Sequence, residues 1–300
     1  MVFEGAEVTD QGSERRVLVG YDESPESERA LRWAVEEARL RHLAVLVCHA
    51  WLWPYPFRPV VQEVLAQVER MAAAVVDDGV RRARDLNPDV EIRPLLARGP
   101  ASAVLLQAAA DAELVVLGSR GQGGFDGLEI GSAAVQVPAH SVRPVVVVRP
   151  VPQPAGDGRV KVVVGVDGSP ASLAALEFAA EEAALRGGAV VPICCWWDPG
   201  ALPGPDRLPF TDPQAMRDQA ETRFREAISP LARRYPDVPV ATEFAAERPQ
   251  RAINDSARGA TLLVVGVRGW GSSTPGTLLG PVTRSALAEA PCPVAVIPQP

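Results

Sequence analysis

The chain has 300 residues, 47% of them hydrophobic and 22% charged, with a net charge of −7. That length suits two domains of ~100–150 residues each, and the apolar fraction excludes a disordered chain. The acidic balance argues against sequence-independent binding to nucleic acid, which needs a basic surface to displace counterions.

The first residues are polar and acidic, and no uninterrupted apolar stretch approaches the ~18 residues of a membrane span. A soluble, cytoplasmic protein without a membrane partner is therefore expected. In chain order, Arg16–Tyr21 is a short apolar run, as for a strand covered on both faces. Ser24 can cap the next helix and Pro25 can take its first position, where a missing N–H costs nothing. Leu31, Ala34, Val35 and Ala38 then follow the spacing of an amphipathic helix. A second strand, Ala44–Ala50, runs into Trp51, followed by the proline-rich loop Trp53–Pro59. Leu65, Val68, Ala72, Val75, Val76, Gly79 and Val80 mark one face of a long helix. A third strand near Val90–Leu96, a short helix, a strand at Leu114–Leu117, another helix and a last strand at Val145–Val148 close the unit.

The same order then recurs. Val162–Val166 precedes Asp167, Gly168, Ser169 and Pro170, as Val17–Tyr21 precedes Asp22, Glu23, Ser24 and Pro25. Leu176, Ala179, Ala180 and Ala183 repeat the first helix stripe, and Ala189–Cys195 repeats the second strand, ending in Trp196. A proline-rich loop, Pro199–Pro213, precedes a long helix carrying Ala220, Phe224, Ala227, Ile228 and Leu231. Strands are expected near Val238–Phe244 and at Val294–Ile297. The copies are offset by 145 residues at Gly20/Gly165 and by 148 at Gly118/Gly266. So long a period means duplicated domains and not a solenoid, whose repeats run at ~20–50 residues. Strands alternating with helices predict an α/β protein of two doubly wound, five-stranded parallel-sheet domains in tandem, Rossmann-like in architecture. The expected limits are a loose N-terminus to residue 15, domains at 16–149 and 159–300, and a Pro/Gly-rich linker over 150–158.

Cys48, Cys194, Cys195 and Cys292 form no metal or redox pattern and are expected as buried hydrophobes. No metal site is expected from His42, His49 and His140, which are scattered; His49 reads as a packed histidine at a strand end. Trp51, Trp53, Trp196 and Trp197 fit either a stacking platform or, more readily, the cover of a sheet edge or cleft floor. Among the 30 basic residues Lys161 is the sole lysine, and it follows no glycine loop. Neither a Walker-type loop nor a protein-kinase site is therefore possible, since each needs a placed lysine.

Glycines gather where the fourth strand of each copy ends. In an open α/β sheet, ligands bind beyond the carboxyl ends of the strands, where strand order reverses. Gly118 and Gly121 leave the strand, nine residues intervene, and Gly131-Ser132 opens the next helix. Glycine admits positive φ and lets backbone N–H groups approach an anion, and a helix start adds unpaired amides and a favourable dipole.

This G-x2-G-x9-G-[S/T] spacing, with the Gly20-Tyr21-Asp22 opening and the duplication, resembles the universal stress protein family over about residues 16–149 and 159–298. The resemblance implies an adenine-nucleotide alpha-hydrolase-like fold and ATP in the cleft, with any Mg2+ carried by the nucleotide. It implies that Asp22 lies near the ribose and the backbone around Ala50 meets the adenine, with Gly20 also among the binding residues. Gly118, Ser119, Arg120, Gly121, Gln122, Gly123 and Gly124 would wrap the phosphates, with Gly131, Ser132 and Ala133 closing the cradle. In the second half Gly165, Asp167, Cys195, Gly266, Val267, Arg268, Gly269, Trp270, Gly271, Gly280, Pro281, Val282 and Thr283 match these places. The recurrence of Asp22 and Asp167 at strand ends favours a ligand role over the alternative of a capping aspartate. The resemblance further implies edge contact between the final strands of the two domains, and a homodimer.

Three functions compete: an ATP-binding regulator in a stress response, a slow ATPase or other nucleotide-dependent enzyme, and a dimerisation module with vestigial clefts. No catalytic residue is assigned, because no histidine or glutamate recurs beside both glycine loops. The second half departs from the motif. Ten residues separate Gly269 from Gly280, and Pro281 stands in the place of Ser132, so a weaker second site is expected. Thr283, one turn on, is the residue that could restore a phosphate contact.

Overall fold

The computed structural model describes residues 15–53, 62–122, 130–150, 159–196, 212–270 and 278–300. The chain divides into two compact units, Met1–Val148 and Arg149–Pro300. The proline-rich loops and the linker fall mostly outside the described residues, as does Trp197.

The first unit contains β1 (Arg16–Gly20), α1 (Pro25–Arg41), β2 (Ala44–Trp51), α2 (Gln62–Leu86), β3 (Ile92–Arg98), α3 (Ala101–Ala108), β4 (Leu114–Gly118), α4 (Ser132–His140) and β5 (Val145–Val148). Its strands are parallel in the order β3-β2-β1-β4-β5. β1 and β4 are therefore neighbours from which the chain winds in opposite directions, and the cleft between them is the switch point. Helices α1 and α2 pack together, and so do α3 and α4, giving the sheet its two covers. Val17, Leu18 and Val19 are fully buried, as a strand covered on both faces requires.

Local chemistry starts α1 as expected. The Ser24 hydroxyl accepts the Ser27 N–H at 3.1 Å, and Pro25 opens the first turn. Leu31, Ala34, Val35 and Ala38 are all buried. At the far end His42 takes the left-handed conformation, φ 56°, and its N–H returns to the last carbonyls. β3 lies two residues later than the expected strand. Of the α2 face, Ala72, Val76, Gly79 and Val80 are buried.

The second unit repeats the order with β6 (Lys161–Gly165), α5 (Pro170–Leu185), β7 (Ala189–Cys195), α6 (Pro213–Ile228), α7 (Leu231–Arg234), β8 (Glu243–Ala245), α8 (Pro249–Ser256), β9 (Leu262–Gly266), α9 (Pro281–Glu289) and β10 (Val294–Ile297). Here the parallel order is β10-β9-β6-β7-β8, with the switch point between β6 and β9. Two expectations are corrected. The long helix breaks at Ser229-Pro230, because proline lacks the N–H of the next helical bond and crowds the preceding turn. The edge strand expected over 238–244 shrinks to Glu243–Ala245 plus an isolated bridge from Val190 to Val240. Pro239 gives only its carbonyl, to Val190 N–H, since it has no donor for a ladder.

Candidate nucleotide cleft

A cavity of about 830 Å³ opens at the β1/β4 switch point of the first unit. Its floor is the carboxyl ends of these strands, Gly20 and Leu117-Gly118, with Cys48 to Trp51 of β2 beside them. Val68, Met71 and Val75 of α2 form an apolar wall, and Gly131 to Ala134 at the start of α4 face it from the glycine loop. Of the expected residues, Gly20, Asp22, Ala50, Gly118, Arg120, Gly121, Gln122, Gly131, Ser132 and Ala133 all line this one cleft.

The cradle is built by close approach. A Cβ on Gly118 would lie 2.7 Å from the Glu26 carbonyl carbon, so only glycine lets the end of β4 pass the first turn of α1. Gly121 is held by Asp22, whose Oδ2 accepts the Gln122 N–H at 2.8 Å. Asp22 Oδ1 accepts the Ser24 N–H at 3.1 Å and its hydroxyl at 2.6 Å. Positive φ plays no part: neither Gly121 nor Gly131 is among the residues in that region, and Gly131 has φ −76°. Asp22 lines the cleft as expected, yet its hydrogen bonds are those of a turn and loop anchor. The left-handed residue at this turn is Glu23, φ 62°, whose counterpart in the second unit is Gly168, φ 80°.

Ser119 is corrected. It is only 3% exposed and lies off the cleft; its carbonyl accepts the Gly131 N–H at 2.8 Å, tying the two ends of the loop together. Gly123 and Gly124 lie outside the described residues. Gly131 is the N-cap of α4 and, among the described residues, no side chain caps that helix, whose first-turn residues Ser132, Ala133 and Ala134 line the cavity. Ser132 and Arg120 are exposed there, and Arg120 forms no ion pair among the described residues. His49 Nδ1 lies 2.8 Å from the Tyr21 carbonyl, which makes it a strand-end packing contact. Behind it the Tyr21 hydroxyl meets Glu28 Oε1 at 2.7 Å and Asp78 Oδ2 at 3.1 Å. Burial first, then these carboxylates, push the phenol well above its ordinary range. Trp51 lines the cleft with the Arg98 guanidinium 5.6 Å from its ring centre.

The second unit repeats the anchor. Asp167 Oδ1 accepts the Ser169 N–H at 3.0 Å, and Oδ2 accepts the Trp270 N–H at 2.9 Å beside Gly269. Gly266 passes the Ala171 backbone as Gly118 passes Glu26, and the Gly280 N–H bonds the Val267 carbonyl at 3.0 Å. Gly165 and Cys195 end their strands as expected, and Arg268 donates to the Leu278 carbonyl at 3.3 Å. Thr283 is corrected: it is buried, and its hydroxyl donates to the Gly266 carbonyl at 2.8 Å. Pro281 faces an arginine-lined groove between α8 and α9, and Val282 is half-buried beside it. Gly271 lies outside the described residues.

A family model described as the universal stress protein family matches residues 14–149 and again residues 159–298. The chain belongs to the universal stress protein family. A universal stress protein of Mycolicibacterium smegmatis is 33% identical to it over 300 residues, covering 95% of this chain and 97% of that one. One from Mycobacterium tuberculosis is 33% identical over 315 residues, covering 94% and 95%. Among solved structures, a universal stress protein from Archaeoglobus fulgidus matches with a TM-score of 0.68 at 18% identity, covering 95% and 98%. That last likeness shows the fold alone. Among the described residues, no helix of this universal stress protein is long and apolar enough to cross a membrane.

Sequence reasoning missed the apolar wall. Val68 and Val75 read as core, and Met71 and Leu52, 64% and 55% exposed, carry no motif. The available signal is an apolar stripe on α2 wider than its contact with the sheet requires.

Proposed function

We propose that the first domain binds ATP in the β1/β4 cleft and that the protein is a cytoplasmic, nucleotide-responsive regulator of a stress response. The observation that carries this reading is one cavity of about 830 Å³ joining an apolar wall to an uncapped helix start. Its size falls in the ~300–1,000 Å³ range of small-molecule sites. The wall of Val68, Met71 and Val75 suits the face of a purine, and the Ala50 backbone stands at the strand end beside it. The first-turn amides of α4, the Ser132 hydroxyl and the Arg120 guanidinium suit phosphate oxygens. This set holds a triphosphate without a lysine.

The reading assigns binding and not turnover. Asp22 is committed to Ser24 and Gln122, and His49 Nδ1 to the Tyr21 carbonyl. An acid extract of freshly purified protein, resolved by ion-exchange chromatography, should contain adenine nucleotide, and calorimetry should show ATP binding. Absence of nucleotide from the extract together with no heat on ATP titration overturns the reading.

A further inference from the structure

The two clefts of this chain differ at the places where a nucleotide would be held. Taking the 148-residue offset of the glycine loops, Gly99 of the first cleft corresponds to Glu247, and Val75 to Arg223. Met71 and Ala74 likewise become Gln219 and Thr222. The second apolar wall is thus interrupted by polar and charged side chains. The same offset sets Gly79 against Ala227, and Gly79 packs on Tyr21 where the second copy has the smaller Val166. The larger helix residue opposite the smaller strand residue supports this alignment of the helices.

The phosphate end has changed as well. Pro281 opens α9 where Ser132 opens α4, which removes one backbone N–H and one hydroxyl. The hydroxyl one turn on does not replace them, because Thr283 donates inward to Gly266 and Val267. At the end of β7, where Ala50 would meet the base in the first copy, stands Cys195. Burial pushes its thiol up to about 12, with Cys194 and the carboxylates of Glu243 and Glu247 adding to the rise. Those two glutamates therefore lie near the mouth of the second cleft. Asp167, exposed, stands on the β6 side of the same switch point. In the first cleft the corresponding end of β3 offers Leu95 and Gly99, with no carboxylate.

We propose that the second cleft is closed to nucleoside polyphosphates, so that the chain carries a single ATP, in its first domain. This rests on the reading that the first cleft is the nucleotide site. Two donors lost from the cradle each cost about tenfold or more in affinity, since hydrogen bonds to charged groups are the strong ones. The Glu243 and Glu247 carboxylates beside Cys195 add negative charge at the base end of the second cleft, which opposes an anionic ligand.

The test is titration calorimetry of the full chain with ATP, with thermal unfolding to verify the fold of each variant. Wild type should bind one nucleotide per chain. Gly131→Asp should abolish that binding. Aspartate is a good N-cap, and among the described residues a Cβ at residue 131 would meet nothing nearer than 3.4 Å, so the helix keeps its start while a carboxylate enters the cradle. Ser132→Pro transplants the second-copy residue into the first copy at a position that favours proline, and should weaken binding about tenfold or more. Two nucleotides per chain with affinities within tenfold of each other overturn the proposal, as does one nucleotide that persists in Gly131→Asp. No binding by wild type is a different result, which overturns the assignment of the first cleft itself.

Discussion

A Cβ on residue 121 would stand 2.4 Å from Asp22 Oδ2, the oxygen that accepts the Gln122 N–H. The second domain repeats the relationship, with 2.1 Å between a Cβ on Gly269 and Asp167 Oδ2. The glycine and the aspartate are thus one device: the carboxylate pins the loop after the fourth strand to the turn after the first. It closes one side of the cleft before any ligand arrives.

Gly121→Ala should therefore act through Asp22. The carboxylate is short and already bonded to Ser24, so making room means breaking those bonds. ATP affinity should fall by about tenfold, with a small change in melting temperature because the loop is exposed. Asp22→Ala removes the loop anchor outright and should cost ~1–3 kcal/mol of stability. Calorimetry and urea unfolding check the pair, and undiminished affinity in Gly121→Ala would dissociate the contact from binding.

Gly79 lets α2 pass the Tyr21 ring, to which an added Cβ would lie 2.6 Å from Cδ1. Gly79→Ala should cost ~1–3 kcal/mol by overpacking. Adding Tyr21→Val, the second-copy pairing, should recover part of that loss. A double-mutant cycle measures the coupling, and strictly additive effects would show that the two residues do not press on each other.

Glu37 and Glu182 are both fully buried, each facing an arginine one turn on, Arg41 and Arg186. Glu182→Ala should destabilise by ~1–3 kcal/mol, since it removes a charged hydrogen-bond partner from a guanidinium only 10% exposed. Replacing Glu182 and Arg186 together by Leu and Met should cost much less. Equal losses in the single and double variants would refute the electrostatic cause.

The Cys48 thiol is pushed up to about 12 by burial, from 9.0 for a free thiol. A raised pKa in the fold means that its contribution to stability is complete below pH 9 and is lost as the pH climbs from there toward 12. Cys48→Ala should flatten this alkaline decline while lowering stability at neutral pH through the lost packing. Urea titrations at a series of pH values would reveal it as a reduced slope above pH 9.

The sequence by itself determined the local devices and the duplication. Short apolar runs became buried strands, Ser24-Pro25 and Ser169-Pro170 started helices, and the Leu31–Ala38 stripe found the sheet. These follow from periodicity and capping, which act within one or two turns of chain. The glycine motif also located the cleft, because a doubly wound sheet has its switch point beyond the ends of β1 and β4.

Only the tertiary structure decided how each side chain is used. Ser119 is expected in the glycine-loop wrap and Thr283 as a substitute hydroxyl, yet both are buried, and Thr283 donates inward to the Gly266 carbonyl. Gly121 is required by Asp22, 99 residues earlier in the chain. The wall formed by Val68, Met71 and Val75 could not be told from core, because an apolar residue reads the same whether it faces the sheet or a cavity. Each of these outcomes depends on contacts between segments distant in sequence, where burial and the approach of another backbone override local preference.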